Sequence, residues 1–166
     1  MASTQQRFMR RGITRIFFLK AIAAATNVPT RAELTGGPGS TDLSKLISDV
    51  EGWALENTPL ETPDLGNTFA SSIPGEDKAA TSSLTFYEDL SSEVVETLLA
   101  KGVEGFIVIL RKGDVAGSKS LDSFPVRVAS RAAAYSTGTE PAKFKVVFAV
   151  TDSPTLDAAV PAAAAG

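Results

Sequence analysis

The tightest constraint on this chain is a period of two in its second half. Between Lys143 and Thr151, Phe144, Val146, Phe148 and Val150 recur at every other position, and Phe124, Val126 and Val128 alternate with Arg127 and Ala129. Successive side chains of a strand point to opposite faces, so both runs read as half-buried strands. The second continues through Arg131 to Tyr135, and Thr137-Gly138-Thr139-Glu140-Pro141 turns it back, so the two form a hairpin. Thr81 to Glu88 follows the same rule, with Leu84 and Phe86 on one face and Thr85 and Tyr87 on the other. Phe106-Ile107-Val108-Ile109-Leu110, within Glu104 to Lys112, is apolar throughout and fits a strand buried on both faces.

One segment changes period. Val94, Val95, Leu98 and Leu99 form a helical stripe, with Ser91 or Ser92 as the expected cap, Lys101 in the last turn and Gly102 just past it. Gly12 to Leu19 (GITRIFFL) reads as a first strand after a polar arm, residues 1–11. Thr35 to Ser44 holds three Gly and one Pro; no Gly-Lys-Ser/Thr follows, so it reads as a loop without regular structure and not as a phosphate cradle. Asp49 to Leu55 suits a half-buried strand, with Gly52 at a bulge or close approach and Trp53 in the core. Pro59 and Pro63 then bar a central strand. The whole span 35–77 is long and weakly patterned, which fits a loop or projecting hairpin held by something outside the domain.

These elements define a mainly β domain over residues 12–154. The expected form is an antiparallel β-sandwich or partly open barrel with one short flanking α-helix, a long central excursion and extended termini. Residues 155–166, rich in Ala and Pro, read as a flexible tail. Of the 43% hydrophobic residues, 24 are Ala, so the core must come from Phe, Ile, Leu and Val.

Charge is sorted along the chain. Residues 1–32 carry six Lys/Arg and no acid, 33–104 carry fourteen Asp/Glu against three Lys, and 105–166 carry seven basic against five acidic residues. The three blocks run +6, −11 and +2, which sum to −3. Such blocks repel themselves unless opposite charge comes near, and a second copy of the chain supplies it.

The residue types exclude much chemistry. There is no His and no Cys, so a Ser-His-Asp or Cys-His constellation, a disulfide framework and the common zinc sites are all ruled out. Glu61/Asp64, Glu76/Asp77 and Glu88/Asp89 are the acidic pairs; neighbouring carboxylates on a strand face opposite ways, and none has EF-hand spacing. No catalytic residue, metal site or cofactor is expected. Arg127, Arg131, Lys143 and Lys145 fall on the polar faces of paired strands and are expected to form one basic patch, but interleaved aromatics are lacking for stable nucleic-acid binding. The basic start followed by Ile16 to Leu19 and Ala21 to Ala25 imitates a secretory signal, yet Lys20 interrupts the apolar run. No run approaches the ~20 residues of a membrane span, and no membrane partner is expected.

The segments RRGITRIFFL, WALENTPLETPD, SSIPGEDKAATSSLTFYED, GFIVIL, FPVRVAS and KFKVVFAVTDSP, in this order over residues 7–154, resemble the major tail tube proteins of long-tailed phages of actinobacteria. The resemblance implies a non-enzymatic virion protein, assembled in the host cytoplasm, whose hexameric rings stack into a tube that conducts genomic double-stranded DNA. It implies strands of six subunits closing one barrel around an acidic lumen, loops and arms bridging rings, and tail terminator, tape measure and distal tail proteins as further partners. A single-ring component (tail terminator or head-tail connector) and the inner tube of a contractile system are the alternatives. The sorted charge then assigns Arg7, Arg10, Arg11 and Arg15 as contacts for Glu51, Glu56, Glu61, Asp64, Glu76 and Asp77 of another subunit or ring. Lumen-lining residues are not fixed by sequence, because register and ring closure decide them.

Overall fold

A computed structural model of the chain describes residues 4–162. In chain order the strands are β1 (Arg15–Leu19), β2 (Ser40–Asp42), β3 (Ile47–Glu51), β4 (Leu55–Thr62), β5 (Ser71–Ala79), β6 (Ser82–Tyr87), β7 (Glu104–Leu110), β8 (Lys119–Ala134), β9 (Lys143–Val150) and β10 (Thr155–Ala159). A five-residue helix, α1 (Val94–Leu98), and one π-helical turn (Ala32–Gly36) complete the set.

Eight strands form one antiparallel sheet in the order β2-β1-β7-β8-β9-β6-β3, with β10 also on β8; β4 and β5 pair only with each other. The long strand β8 organises the sheet. Its first part, Leu121 to Arg127, pairs with β7, and its second, Val126 to Ala134, pairs with β9. Two halves therefore share one strand: β2, β1, β7 and β10 on one side, β9, β6 and β3 on the other. Between Val128 and Ser130 the register shifts, which leaves Ala129 as a bulge where the strand passes from one half to the other.

The core follows from the alternation. Ile16 and Phe18 of β1, Ile107 and Ile109 of β7, Phe124, Val126 and Val128 of β8, Phe144, Val146 and Phe148 of β9, and Leu84 and Phe86 of β6 belong to one buried cluster, which Val95 and Leu99 around α1 join. This cluster unites the inner faces of the two halves. The opposite face of the first half holds a second, smaller cluster of Phe17, Leu19, Leu34, Val108, Leu110, Leu121 and Val160. Hence the Phe106 to Leu110 run of β7 is apolar throughout: Ile107 and Ile109 serve one cluster, and Phe106, Val108 and Leu110 the other. The sheet is open and does not close into a barrel.

Several expectations are corrected. The first strand begins at Arg15, because Gly12 has φ +81° and the Ile13 and Thr14 amides turn back onto the Arg10 carbonyl. Within the glycine-rich 35–44 stretch, Ser40–Asp42 pairs with β1 as β2. The strand expected over Asp49–Leu55 is broken: Gly52 (φ +80°) and Trp53 (φ +60°) turn the chain out of β3 and into β4. Gly52 also lies so close to the Thr81 carbonyl that a Cβ would collide with it. Neither Ser91 nor Ser92 caps α1; Ser91 is instead bound through its amide and hydroxyl to Asp89 Oδ1, both at 2.8 Å. The tail expected to be flexible from residue 155 forms β10, and Val160 beyond it is buried. Residues 163–166, and residues 1–3 of the arm, lie outside the described residues.

Candidate assembly surfaces

Three surfaces are left unsatisfied by the fold. The first is the β4–β5 hairpin, Leu55 to Ala79, the excursion anticipated from the two prolines. It makes a two-stranded sheet of its own, with a register shift at Pro59 where a ladder bond could not form. Leu60 and Ile73 lie directly across from each other, exposed by 58% and 51%, and Leu65 and Phe69 at the tip are more exposed still. A two-stranded hairpin alone is marginally stable in water, and this one offers apolar side chains to it.

The candidate acids are distributed over this hairpin unevenly. Glu56 sits across from Lys78 and Glu76 across from Thr58, on one face. Asp77 accepts a 2.5 Å hydrogen bond from Asn57, Glu61 lies across from Ser72, and Asp64 receives the Gly66 amide in the tip. Glu51 is not on the hairpin at all. It ends β3, bonded at 2.7 Å to Lys145 Nζ, and this partner holds its carboxyl below the usual range. Arg15 is also used within the chain, 3.6 Å from Asp42. Arg7, Arg10 and Arg11 are exposed and make no ion pair among the described residues. Among the described residues Arg15 and Glu51 thus have ion-pair partners within the chain, and Arg7, Arg10 and Arg11 have none.

The second surface is a pair of bare strand edges. Among the described residues the outer edge of β3 has no partner strand, and neither does Ser130 to Ala134 of β8 on the side away from β9. On β3, the Val50 amide is bonded to the side chain of Asp49. Each edge is about five residues long.

The third is the face of β3, β6, β9 and late β8 that points away from the main cluster. Register places Asp49 and Glu51, Ser83, Thr85 and Tyr87, Lys143, Lys145, Val147 and Ala149, and Arg127, Ser130, Ala132 and Ala134 on it. Arg131 is absent from this face, contrary to the patch expected from sequence. The Ala129 bulge shifts the phase, so Arg131 lies across from the inward Val146 and donates to the Glu96 carbonyl of α1 at 2.6 Å. No sequence signal marked the bulge.

Elsewhere polar clips hold the first half together. Arg31 makes a two-pronged bond to Asp114, 2.7 and 2.8 Å, and donates to the Pro161 carbonyl. Asp114 is held below the usual carboxylate range by that guanidinium. Arg111 bridges Asp122 and Asp157, and burial pushes the Asp122 carboxyl up. Among the described residues no three acidic side chains come together as a metal site, and no helix is long and apolar enough to cross a membrane.

The described residues thus form an open antiparallel sheet with unpaired edges and a projecting hairpin. The chain belongs to the phage tail tube protein family, whose model matches residues 1–163. Solved structures show the same fold at low identity. The tail of an empty gene transfer agent particle, refined with C6 symmetry, matches with TM-score 0.54 and 11% identity over 86% of this chain and 94% of that one. A chain of the six-fold symmetrised anti-feeding prophage baseplate matches with TM-score 0.57 and 8% identity over 90% and 95%. The cap that terminates the anti-feeding prophage tube matches with TM-score 0.53 and 12% identity over 89% of each chain. No curated protein matches the chain.

Proposed function

We propose that the chain is the major tail tube protein of a long-tailed phage of actinobacteria, forming hexameric rings that stack into the conduit for genomic DNA. The observation that carries this reading is the four-strand half, β3-β6-β9-β8, with a bare edge of similar length at each end. Its strands alternate in direction. Rotation about an axis along the strands brings the β8 edge of one copy beside the β3 edge of the next, and because four is even the alternation continues unbroken. Six copies remove every edge of this half, which an isolated subunit leaves open to random pairing. Barrels of 16–18 strands already leave an aqueous channel, so one built from six such sheets leaves a wide one. The bulk of each subunit, the first half and α1, lies on the main-cluster side and must stand outside the ring. The bare polar face then looks inward.

Rings stack through the remaining two features. The hairpin lays Leu60, Leu65, Phe69 and Ile73 against the next ring, and Arg7, Arg10 and Arg11 of the arm meet Glu56, Glu61, Asp64, Glu76 and Asp77 of a neighbouring copy. Such contacts are screened by salt. The tail terminator, tape measure and distal tail proteins would engage the tube ends, and assembly would take place in the host cytoplasm before the tube enters the virion.

Electron microscopy of the purified protein, alone and with tail initiator proteins, tests the reading. Tubes of indefinite length with six-fold symmetry are expected; closed single rings would favour a terminator or connector, and a persistent monomer under both conditions would refute assembly. Arg10→Glu with Arg11→Glu is expected to abolish stacking at low salt, and unaltered tubes from that variant would remove the arm from the interface.

A further inference from the structure

Resting on the ring reading above, we propose that the bare face of β3, β6, β9 and late β8 is a charge-neutral channel wall. Duplex DNA passes along it without being gripped, because each cation on it is already held by a partner on the same face. The cations are Arg127, Lys143 and Lys145. Glu104 lies directly across from Arg127 and so shares its face, with the ion pair at 3.6 Å. Lys145 Nζ lies 2.7 Å from Glu51 Oε2, which also accepts the Ser83 hydroxyl at 3.3 Å. Lys143 Nζ stands 5.6 Å above the centre of the Tyr87 ring. The acids are Asp49 and Glu51 on these four strands and Glu104 on the adjoining β7, so with β7 included three positive charges meet three negative ones and the wall sums to zero.

That balance differs from the whole chain, which carries −3, and from the acidic lumen implied by the family resemblance. It has a physical use. Free Lys and Arg displace counterions from DNA and create affinity that would brake the genome, whereas an acidic wall repels it. A wall whose cations are occupied does neither. Each exposed pair is weak alone, but a carboxylate fixed beside a lysine competes with every passing phosphate. The remaining side chains on the face, among them Ala132, Ala134 and Ala149, are small, and Tyr87 is the one aromatic available for base stacking, already under Lys143.

Tubes of the wild type and of Glu51→Gln with Glu104→Gln are compared for retention of a short fluorescent duplex by co-sedimentation. Wild-type tubes should release the duplex at every salt concentration. The variant frees Lys145 and Arg127 and should retain it, with retention falling at least about tenfold between 50 and 200 mM salt. Adding Lys145→Gln and Arg127→Gln should restore release. Ala149→Lys, which adds an unpaired cation without breaking a pair, should also retain DNA and serves if the double variant fails to form tubes. Salt-sensitive retention by wild-type tubes, or none by tubes carrying either cationic change, overturns the neutral wall while leaving the tube intact. Because the chain has no Cys, Ala132→Cys places a single thiol on this face. In tubes it should react with a small maleimide and be shielded from a bulky one; equal reaction with the bulky reagent would put the face outside and end the proposal. Failure of the wild type to form tubes under any condition refutes the ring reading and this inference with it.

Discussion

Gly52 and Gly12 adopt nearly the same left-handed backbone, φ +80° and +81°, but only Gly52 is crowded, facing the Thr81 carbonyl and Ser82. A Cβ in this conformation costs about 1–2 kcal/mol. Gly12→Ala is therefore expected to lose about 1 kcal/mol in denaturant titration, and Gly52→Ala clearly more, because the β3–β6 contact must also open. The Arg31–Asp114 clip gives a pH signature. Asp114 has its folded pKa lowered, so its contribution is present above the unfolded value of about 4 and disappears as pH falls through the folded value. Asp114→Asn is expected to lower stability at pH 7 by about 1 kcal/mol, discounted because the carboxylate is 38% exposed, and to leave the variant with a flatter acid limb below about pH 4. Equal acid sensitivity of wild type and variant in thermal scans would exclude that role for Asp114.

At the scale of elements, the hairpin and the body are separable. Because β4 and β5 pair only with each other, Leu60→Ser with Ile73→Ser is expected to shift the unfolding midpoint of the monomer little while reducing tube yield strongly. A large loss of monomer stability would instead place that face against the body. This contrast also marks what could be read from sequence. Alternation at Phe144, Val146 and Phe148, the doubly apolar Phe106–Leu110 run and the prolines of the excursion announced β9, β7 and a projecting hairpin, because burial and missing amides act locally. What was missed depends on non-local pairing. β2 and β10 are short strands with little apolar content of their own, made by the edges of β1 and β8. The Ala129 bulge, which moves Arg131 from the bare face to the Glu96 carbonyl, is a matter of register between two strands, and register is invisible in one strand's composition. That the arm is basic is plain from charge alone; the local pairing of Arg15 and Glu51 required coordinates.

For the whole molecule, the proposed ring would close through two edges, those of β3 and late β8, that have no partner strand among the described residues. The Val50 amide is bonded to Asp49 and not to β6, so Val50→Pro removes a donor from the outer edge without removing a β3–β6 bond. The variant is expected to remain a folded monomer by circular dichroism and sedimentation and to form no rings, whereas rings of normal size would show that β3 is not a closing edge. The joint between body and hairpin carries one further consequence. Trp53, the sole tryptophan, sits where β3 gives way to β4; its ring lies 5.2 Å from Phe124 and 5.6 Å from Phe148, and its indole N–H donates to the Ser83 carbonyl. In the proposed tube, contact of the hairpin with a neighbouring copy would act beside that indole, so the emission of unlabelled protein is expected to report polymerisation in real time, with no dye and no tag; emission unchanged on tube formation would uncouple the indole from the hairpin contact.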